Sequence, residues 1–278
     1  MSCQLAVSAP PSPTPNTYAY AQAGGPQAAA VLAQECALAI SYNGISQAVM
    51  MVSPSDLDDF AVGFSLGSGL LSSIDDIYDI RLSGTGSARQ VELNISARAF
   101  WALKQQRRQL AGNSGCGLCG VESLAQALPQ LAVLPATALP PAAHLHNLRA
   151  RISQAQSLAR DSGALHAAVF VDNRGEIALC REDIGRHNAL DKLLGALQRQ
   201  RLERRNGFVV VTSRCSLELI HKAVRGGIST LVSLSAPTAL TVDWARQHNL
   251  NLIHLPQHSA PRVYSPAPSA ICAEEPQP

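Results

Sequence analysis

Two cysteines stand closest to chemistry in this 278-residue chain. They sit in Gly115-Cys116-Gly117-Leu118-Cys119-Gly120, a C-x-x-C with a glycine beside each thiol. Three chemical readings apply. Half a zinc site needs a second pair of ligands. No second C-x-x-C and no H-x3-5-H pair occurs, His144 and His146 being only two apart, so only a dimer sharing the ion would complete it. A thioredoxin-like redox motif follows a strand and opens a helix, whereas glycines surround this pair and no strand leads in. A carrier loop holds a thiolate that takes a group from one partner and gives it to another. Glycines clear side chains from the path of such a loop.

A second group of candidates comes from three loops. Arg181-Glu182-Asp183-Ile184-Gly185-Arg186-His187-Asn188 follows the apolar run EIALC, Ser213-Arg214-Cys215-Ser216 follows FVVVT, and Ser235-Ala236-Pro237-Thr238 follows TLVSL. Ligands of open α/β sheets bind beyond the carboxyl ends of strands, at helix N-termini. Arg214 with the hydroxyls of Ser213 and Ser235 suits phosphate, and Asp183 suits a base or ribose donor. Each residue also has a plain structural reading: Ser216 and Thr238 as N-caps, Arg181 and Glu182 as a surface ion pair. His166 opens an apolar strand, where a histidine is more often a hydrogen-bonded core residue than a catalyst. Zinc deaminases carry H-x-E with a later C-x-x-C. Here Ala168 stands two after His166 and the cysteines precede it, so that chemistry is absent.

The elements that position these residues divide the chain. Residues 1–34 are rich in Ala, Pro, Ser, Thr and Gln without periodicity and read as a disordered leader. Residues 35–124 read as an α+β region ending in the C-x-x-C loop. Alternating runs flank a hairpin turn at Asn43-Gly44, a helix follows Ser53-Pro54-Ser55-Asp56, and strands at Ile77 to Leu82 and Gln90 to Ile95 precede a helix from Ala97 to Leu110. Gly63, Gly67 and Gly69 in the first helix mark close backbone packing or its end. Residues 125–143 form a Pro/Ala-rich linker. Residues 144–265 open with a helix over His144 to Arg160 and a hairpin turning at Asn173-Arg174-Gly175. Short apolar strands then alternate with helices, the signature of βαβ crossovers and a parallel sheet. Residues 266–278 read as a disordered tail.

Composition narrows the function. Hydrophobic residues at 46% and charged residues at 15% permit a real core. Lys+Arg 22 against Asp+Glu 20 gives +2, too balanced for a general nucleic-acid binder. The RQRLERR stretch (Arg199 to Arg205) reads as a solvated helix end. No run approaches the roughly 20 apolar residues of a membrane span, and no secretory signal opens the chain. The expectation is a cytoplasmic protein with reduced thiols, and seven cysteines, an odd number, give no disulfide framework.

REDIGRHNALDK (Arg181 to Lys192), together with GCGLCG, SGALHAAVF, TSRCSLELIHKA and SLSAPTALTVDWA, resembles the FdhD family from about Glu35 to Tyr264. The resemblance implies a sulfur carrier, an accessory sulfurtransferase of formate dehydrogenase. Such proteins take persulfide sulfur from a cysteine desulfurase and pass it to the molybdenum bis(molybdopterin guanine dinucleotide) cofactor, their bound substrate, with no permanently bound metal. It further implies a cytidine-deaminase-like α/β domain beside a smaller N-terminal α+β domain, and a homodimer. Cys116 matches the persulfide carrier and Cys119 its partner. The family's cofactor segment, a G-F-x-R stretch with a Tyr nine residues after the Phe, falls on Leu255, Pro256, Gln257, His258, Ser259 and Ala260, with Tyr264 keeping the spacing. The chain departs from the pattern: Leu255 stands for Phe, Gln257 for Arg and His258 for Gly, Ser68 for Glu, and Ser162-Gly163-Ala164 for Thr-Gly-Gly.

Overall fold

The computed structural model describes residues 16–111, 128–204 and 206–268; the segment holding Cys116 and Cys119 lies outside them. Its first element corrects the disordered reading of 1–34 over 17–31; residues 1–15 lie outside the described residues. Thr17–Ala21 (β1) and Gln27–Val31 (β2) pair as an antiparallel hairpin. Tyr18 and Tyr20 favour strand, and Gly24 supplies a positive φ of 71° in the turn.

Cys36–Tyr42 (β3) and Ile45–Val52 (β4) pair across Asn43 and Gly44, whose φ values of 46° and 80° suit a type I′ turn. After helix α1 (Leu57–Gly67) come β5 (Ile77–Thr85), β6 (Ala88–Ile95) and helix α2 (Ala97–Ala111). The sheet order is β4-β3-β6-β5. One face buries Leu38, Ile40, Tyr42, Val91 and Leu93 against Phe60 of α1 and Leu103 of α2. Asp56 occupies the N-cap position but makes no side-chain cap bond; it faces Arg181 at 3.6 Å instead.

The described part of the linker has no regular structure before a 3-10 turn at Ala142–Leu145, yet it is pinned to the unit that follows. Leu134 donates its N–H to His248 O at 3.0 Å, and Asn251 Nδ2 reaches Thr137 O at 3.2 Å. The single helix expected over 144–160 is interrupted. Helices α3 (Leu148–Ala155) and α4 (Ala159–Ser162) flank a break, because the Glu182 carboxylate accepts the N–H groups of Ser157, Leu158 and Ala159 at 2.7, 2.9 and 2.8 Å. Those donors are lost to the helical ladder.

The second sheet holds β7 (His166–Val171), β8 (Ile177–Asp183), β9 (Phe208–Val211), β10 (Thr230–Ser233), β11 (Asn251–His254) and β12 (Arg262–Ser265), in the order β12-β11-β10-β9-β7-β8. Helix α5 (Arg186–Arg199) leads from β8 to β9; α6 (Leu217–Arg225) and α7 (Ala239–Gln247) connect the later strands. Only β9, β10 and β11 run parallel; β7 opposes both its neighbours and β12 opposes β11. The sheet is therefore mixed, not parallel throughout, and the architecture as a whole is mixed α/β. Because β7 runs backwards, β8 points the same way as β9 to β11. All four carboxyl ends open at one end of the sheet.

The two sheets are joined through α1 and α5. A Cβ on Gly63 would lie 1.7 Å from Asp191 O, and one on Gly195 would lie 1.8 Å from Asp59 O. The helices thus cross backbone to backbone, which only glycine permits. Gly67 ends α1, and Gly69 just beyond it takes a φ of 72°. Gly63→Ala or Gly195→Ala must push the helices apart, and each is expected to lower unfolding free energy by about 3 kcal/mol or more. Urea denaturation of the full chain checks this; a midpoint unchanged from that of the native chain would refute the close crossing.

Candidate functional site

The three loops predicted from sequence do meet at the carboxyl end of the second sheet, but their residues take different parts. Asp183 is fully buried. Its carboxylate accepts from Ser53 N at 2.9 Å, Gly185 N at 2.8 Å and Asn188 Nδ2 at 2.9 Å, and pairs with Lys192 Nζ at 2.7 Å. Lys192, also fully buried, donates to Ser53 O and Glu182 O at 3.0 and 3.1 Å. Asp183 therefore has no face for a ligand. The expectation that it receives a base or ribose is corrected: it fixes the loop by tying β8, the start of α5 and the Ser53 turn together.

The neighbouring motif residues are likewise structural. Arg181 and Arg199 both grip Asp59 of α1, at 2.8 and 2.6 Å, and Asp191 pairs with Lys222 of α6 at 2.9 Å. The Arg181–Glu182 ion pair envisaged from sequence does not form; Glu182 caps the α3–α4 break instead.

Further along the rim, groups are free. Arg214 is exposed and its guanidinium has no partner among the described residues, while its carbonyl accepts from Ser213 Oγ at 3.1 Å. Ser213 beneath it is buried, and its carbonyl lies 3.0 Å from Ser233 Oγ, which also contacts Ser235 O at 2.7 Å. One hydroxyl thus ties the loops after β9 and β10. Ser235 is half-buried. Leu255 corrects its assignment: its side chain is only 7% exposed and packs with Leu145, Leu148, Val232 and Ile253. Pro256 is half-buried, while Gln257, His258, Ser259 and Ala260 are exposed, so the accessible stretch of the segment is 257–260. Thr238 caps α7 as the plain reading held, accepting from Thr241 N.

Arg149, which the sequence did not single out, joins His187 and His166 at this end of the sheet. Arg149 of α3 donates to Leu234 O and, at 2.6 Å, to Leu255 O, clamping the ends of β10 and β11. His187 Nε2 lies 3.1 Å from Ser216 Oγ and 3.3 Å from Glu218 Oε2. Burial lowers the His187 pKa, Glu218 opposes that, and Arg186 adds to it. Burial likewise lowers that of His166, which sits opposite Asp183 on β7. No local signal marks Arg149, whose partners are 85 and 106 residues away. Lys192 was legible: on a helix its neighbours are Asn188, Ala189, Gly195 and Ala196, small residues that leave room for a buried long chain.

The rim therefore offers the unpaired guanidinium of Arg214, hydroxyls and an exposed loop, suited to an anionic ligand such as phosphate; Arg186 Nε, at the start of α5, is buried and also without a partner among the described residues. No cluster of three or more His, Cys, Asp or Glu fit for a metal occurs among the described residues. The described cysteines are poor nucleophiles. Burial pushes the Cys215 thiol up to about 12, and burial followed by Glu182 does the same for Cys180. Burial also raises Cys36. Thiolate chemistry near neutral pH is disfavoured at all three described cysteines; Cys116 and Cys119 lie outside the described residues. Lys192→Met should strand the Asp183 charge and cost about 3–5 kcal/mol, whereas Arg214→Ala at the exposed rim should stay within about 0.5 kcal/mol. Thermal and urea unfolding of both variants compares them; equal stability would mean Asp183 is not held as described.

The FdhD/NarQ family pattern matches residues 33–271. The sulfur carrier protein FdhD of Bordetella petrii is 43% identical over 235 residues, covering 84% of each chain. That of Cupriavidus necator is 43% identical over 238 residues, 84% of this chain and 81% of its own. That of Acinetobacter baylyi is 41% identical over 241 residues. A crystal structure of a proposed formate dehydrogenase accessory protein from Desulfotalea psychrophila superposes with a TM-score of 0.69, covering 89% of this chain and 94% of that one. At 22% identity it speaks for the fold. With its family pattern spanning both sheets and the C-x-x-C, this chain belongs to the FdhD/NarQ family.

Proposed function

We propose that the chain is a sulfur carrier, a sulfurtransferase that serves formate dehydrogenase maturation. Cys116 accepts sulfur from a cysteine desulfurase: its thiolate attacks the outer sulfur of the donor persulfide, the donor S–S bond breaks, and the donor cysteine leaves as thiolate. Cys116 is then a persulfide, and charge and atoms balance. The recipient is the molybdenum bis(molybdopterin guanine dinucleotide) substrate. Cys119 either relays the sulfur or attacks Cys116 Sγ, expelling hydrosulfide and closing a disulfide. The observation that carries this reading is the state of Cys36, Cys180 and Cys215: Cys36 and Cys215 are buried, Cys180 is partly buried, and burial raises the pKa of all three, while the glycine-flanked pair holds the other two cysteines of the family region.

The guanine dinucleotide lies, in this reading, across the sheet end: phosphate on Arg214 with Ser213 and Ser235 behind it, and residues 257–260 along one side. Asp183 and Leu255 support these loops from beneath. Gln257 and His258 offer neutral or titratable donors where relatives of the pattern carry Arg and Gly, so Arg214 bears more of the phosphate charge here. The α/β unit is read as cytidine-deaminase-like without deaminase zinc, and the working form as a cytoplasmic homodimer.

Two measurements test this. An arginine–phosphate hydrogen bond contributes about 1.5–3 kcal/mol, so Arg214→Ala should weaken GDP binding roughly ten- to a hundredfold by calorimetry. Cys116→Ala should keep GDP affinity yet abolish formate dehydrogenase maturation in a reconstituted assay. Normal maturation with Cys116→Ala would overturn the carrier assignment, and unchanged GDP affinity in Arg214→Ala would put the nucleotide on another face.

A further inference from the structure

Helix α2 presents a surface that neither the sheet end nor the core uses. Its inner side buries Ala99 and Leu103, at 7% and 1% exposure. Its outer side carries Trp101, 58% exposed. Lys104 Nζ stands 4.3 Å from the Phe100 ring centroid and 5.2 Å from that of Trp101, so an aromatic pair and a cation form one patch. The helix sequence, ARAFWALKQQRRQLA, holds Arg98, Lys104, Arg107 and Arg108 and no acidic residue. Asp76 answers Arg98 at 3.2 Å. In a chain whose formal net charge is only +2, this helix is a local concentration of positive charge.

We propose that this outer face of α2, centred on Trp101 and Lys104, is the docking surface for the protein that delivers persulfide sulfur, which meets it with an acidic surface. The inference rests on the carrier reading above. Continuity with the carrier cysteine supports it: α2 ends at Ala111, five residues before Cys116. Trp101 is about 15 Å from that end at 1.5 Å per residue, and five residues reach at most about 18 Å. A standard interface of roughly 800 Å² per partner spans about 30 Å, so a donor seated on α2 has its persulfide within range of Cys116. Exposed tryptophan beside a cation is the composition that dominates binding energy at such surfaces. Charge argues against the other occupants. In a two-fold pairing α2 would face its own copy, placing like charges opposite one another, and a single short basic helix is a small footprint for nucleic acid.

The test compares two sulfur sources on the full chain. One is a purified cysteine desulfurase charged with cysteine; the other is glutathione persulfide, too small to need docking. Sulfur on Cys116 is followed by mass spectrometry for the native chain, Trp101→Ala and Lys104→Glu, with circular dichroism confirming the fold of each. Loading from the desulfurase should slow about tenfold or more in both variants and recover partly at low salt for Trp101→Ala. Loading from glutathione persulfide should stay within about twofold, as the reacting thiol is untouched. Equal loading of native chain and variants by the desulfurase would overturn the docking surface while leaving the carrier reading intact. No loading of the native chain by either source would overturn the carrier reading and the docking surface with it. A dimer that becomes a monomer on Trp101→Ala, by light scattering, would show a second copy on this face and overturn the proposal.

Discussion

Two backbone carbonyls set the distance between the halves of this molecule. Asp191 O lies where Gly63 would carry a side chain, and Asp59 O where Gly195 would. With α1 and α5 this close, the charges they bring along are buried and must be matched. Asp59 is answered by Arg181 and Arg199, Asp191 by Lys222, and Asp183 by Lys192. Removing one member of such a pair leaves a buried charge uncompensated, which is far costlier than never having had the pair. The REDIGRHNALDK segment is thus chiefly a joint. It welds the two sheets and holds the loops at the carboxyl end of the second sheet in register.

That rigidity separates two tasks. At the sheet end, Ser233 and Arg149 tie three loops from below, so that Arg214, Ser235 and residues 257–260 stand on fixed supports. A rim held in this way would need little ordering before an anionic ligand binds. Sulfur chemistry needs the opposite environment, a thiol with water access and little burial. Cys215, buried, and Cys180, partly buried, show what the packed body does to a cysteine: it holds the proton on. A carrier cysteine belongs on a segment apart from the cores, and the glycines around Cys116 suit that need.

Local patterns were legible and distant partnerships were not. Asn43-Gly44 and Asn173-Arg174-Gly175 announced their hairpins, since a two-state alternation with a turn residue is contained in a dozen positions. Gly63 likewise announced close packing. The direction of β7 was hidden, because an apolar strand reads the same whichever way it runs. Asp183 looked like a ligand residue at a strand end; its burial depends on Ser53, 130 residues away. Glu182 interrupted an expected helix from outside that helix. The β1–β2 hairpin was masked by an Ala- and Gln-rich composition whose alternation is weak. Of the candidate rim, the loops of Ser213-Arg214 and Ser235 are bridged by Ser233 Oγ, while Leu255 turned inward and left 257–260 as the accessible stretch.

The account turns on one covalent event, the arrival of sulfur at Cys116. The direct measurement is peptide mass spectrometry of the full chain after incubation with a cysteine desulfurase and cysteine, without reductant. The account predicts one added sulfur atom, confined to the peptide holding Cys116 and Cys119, with Cys36, Cys180 and Cys215 unmodified. Sulfur on any of those three thiols, or none on the Cys116 peptide, would contradict it.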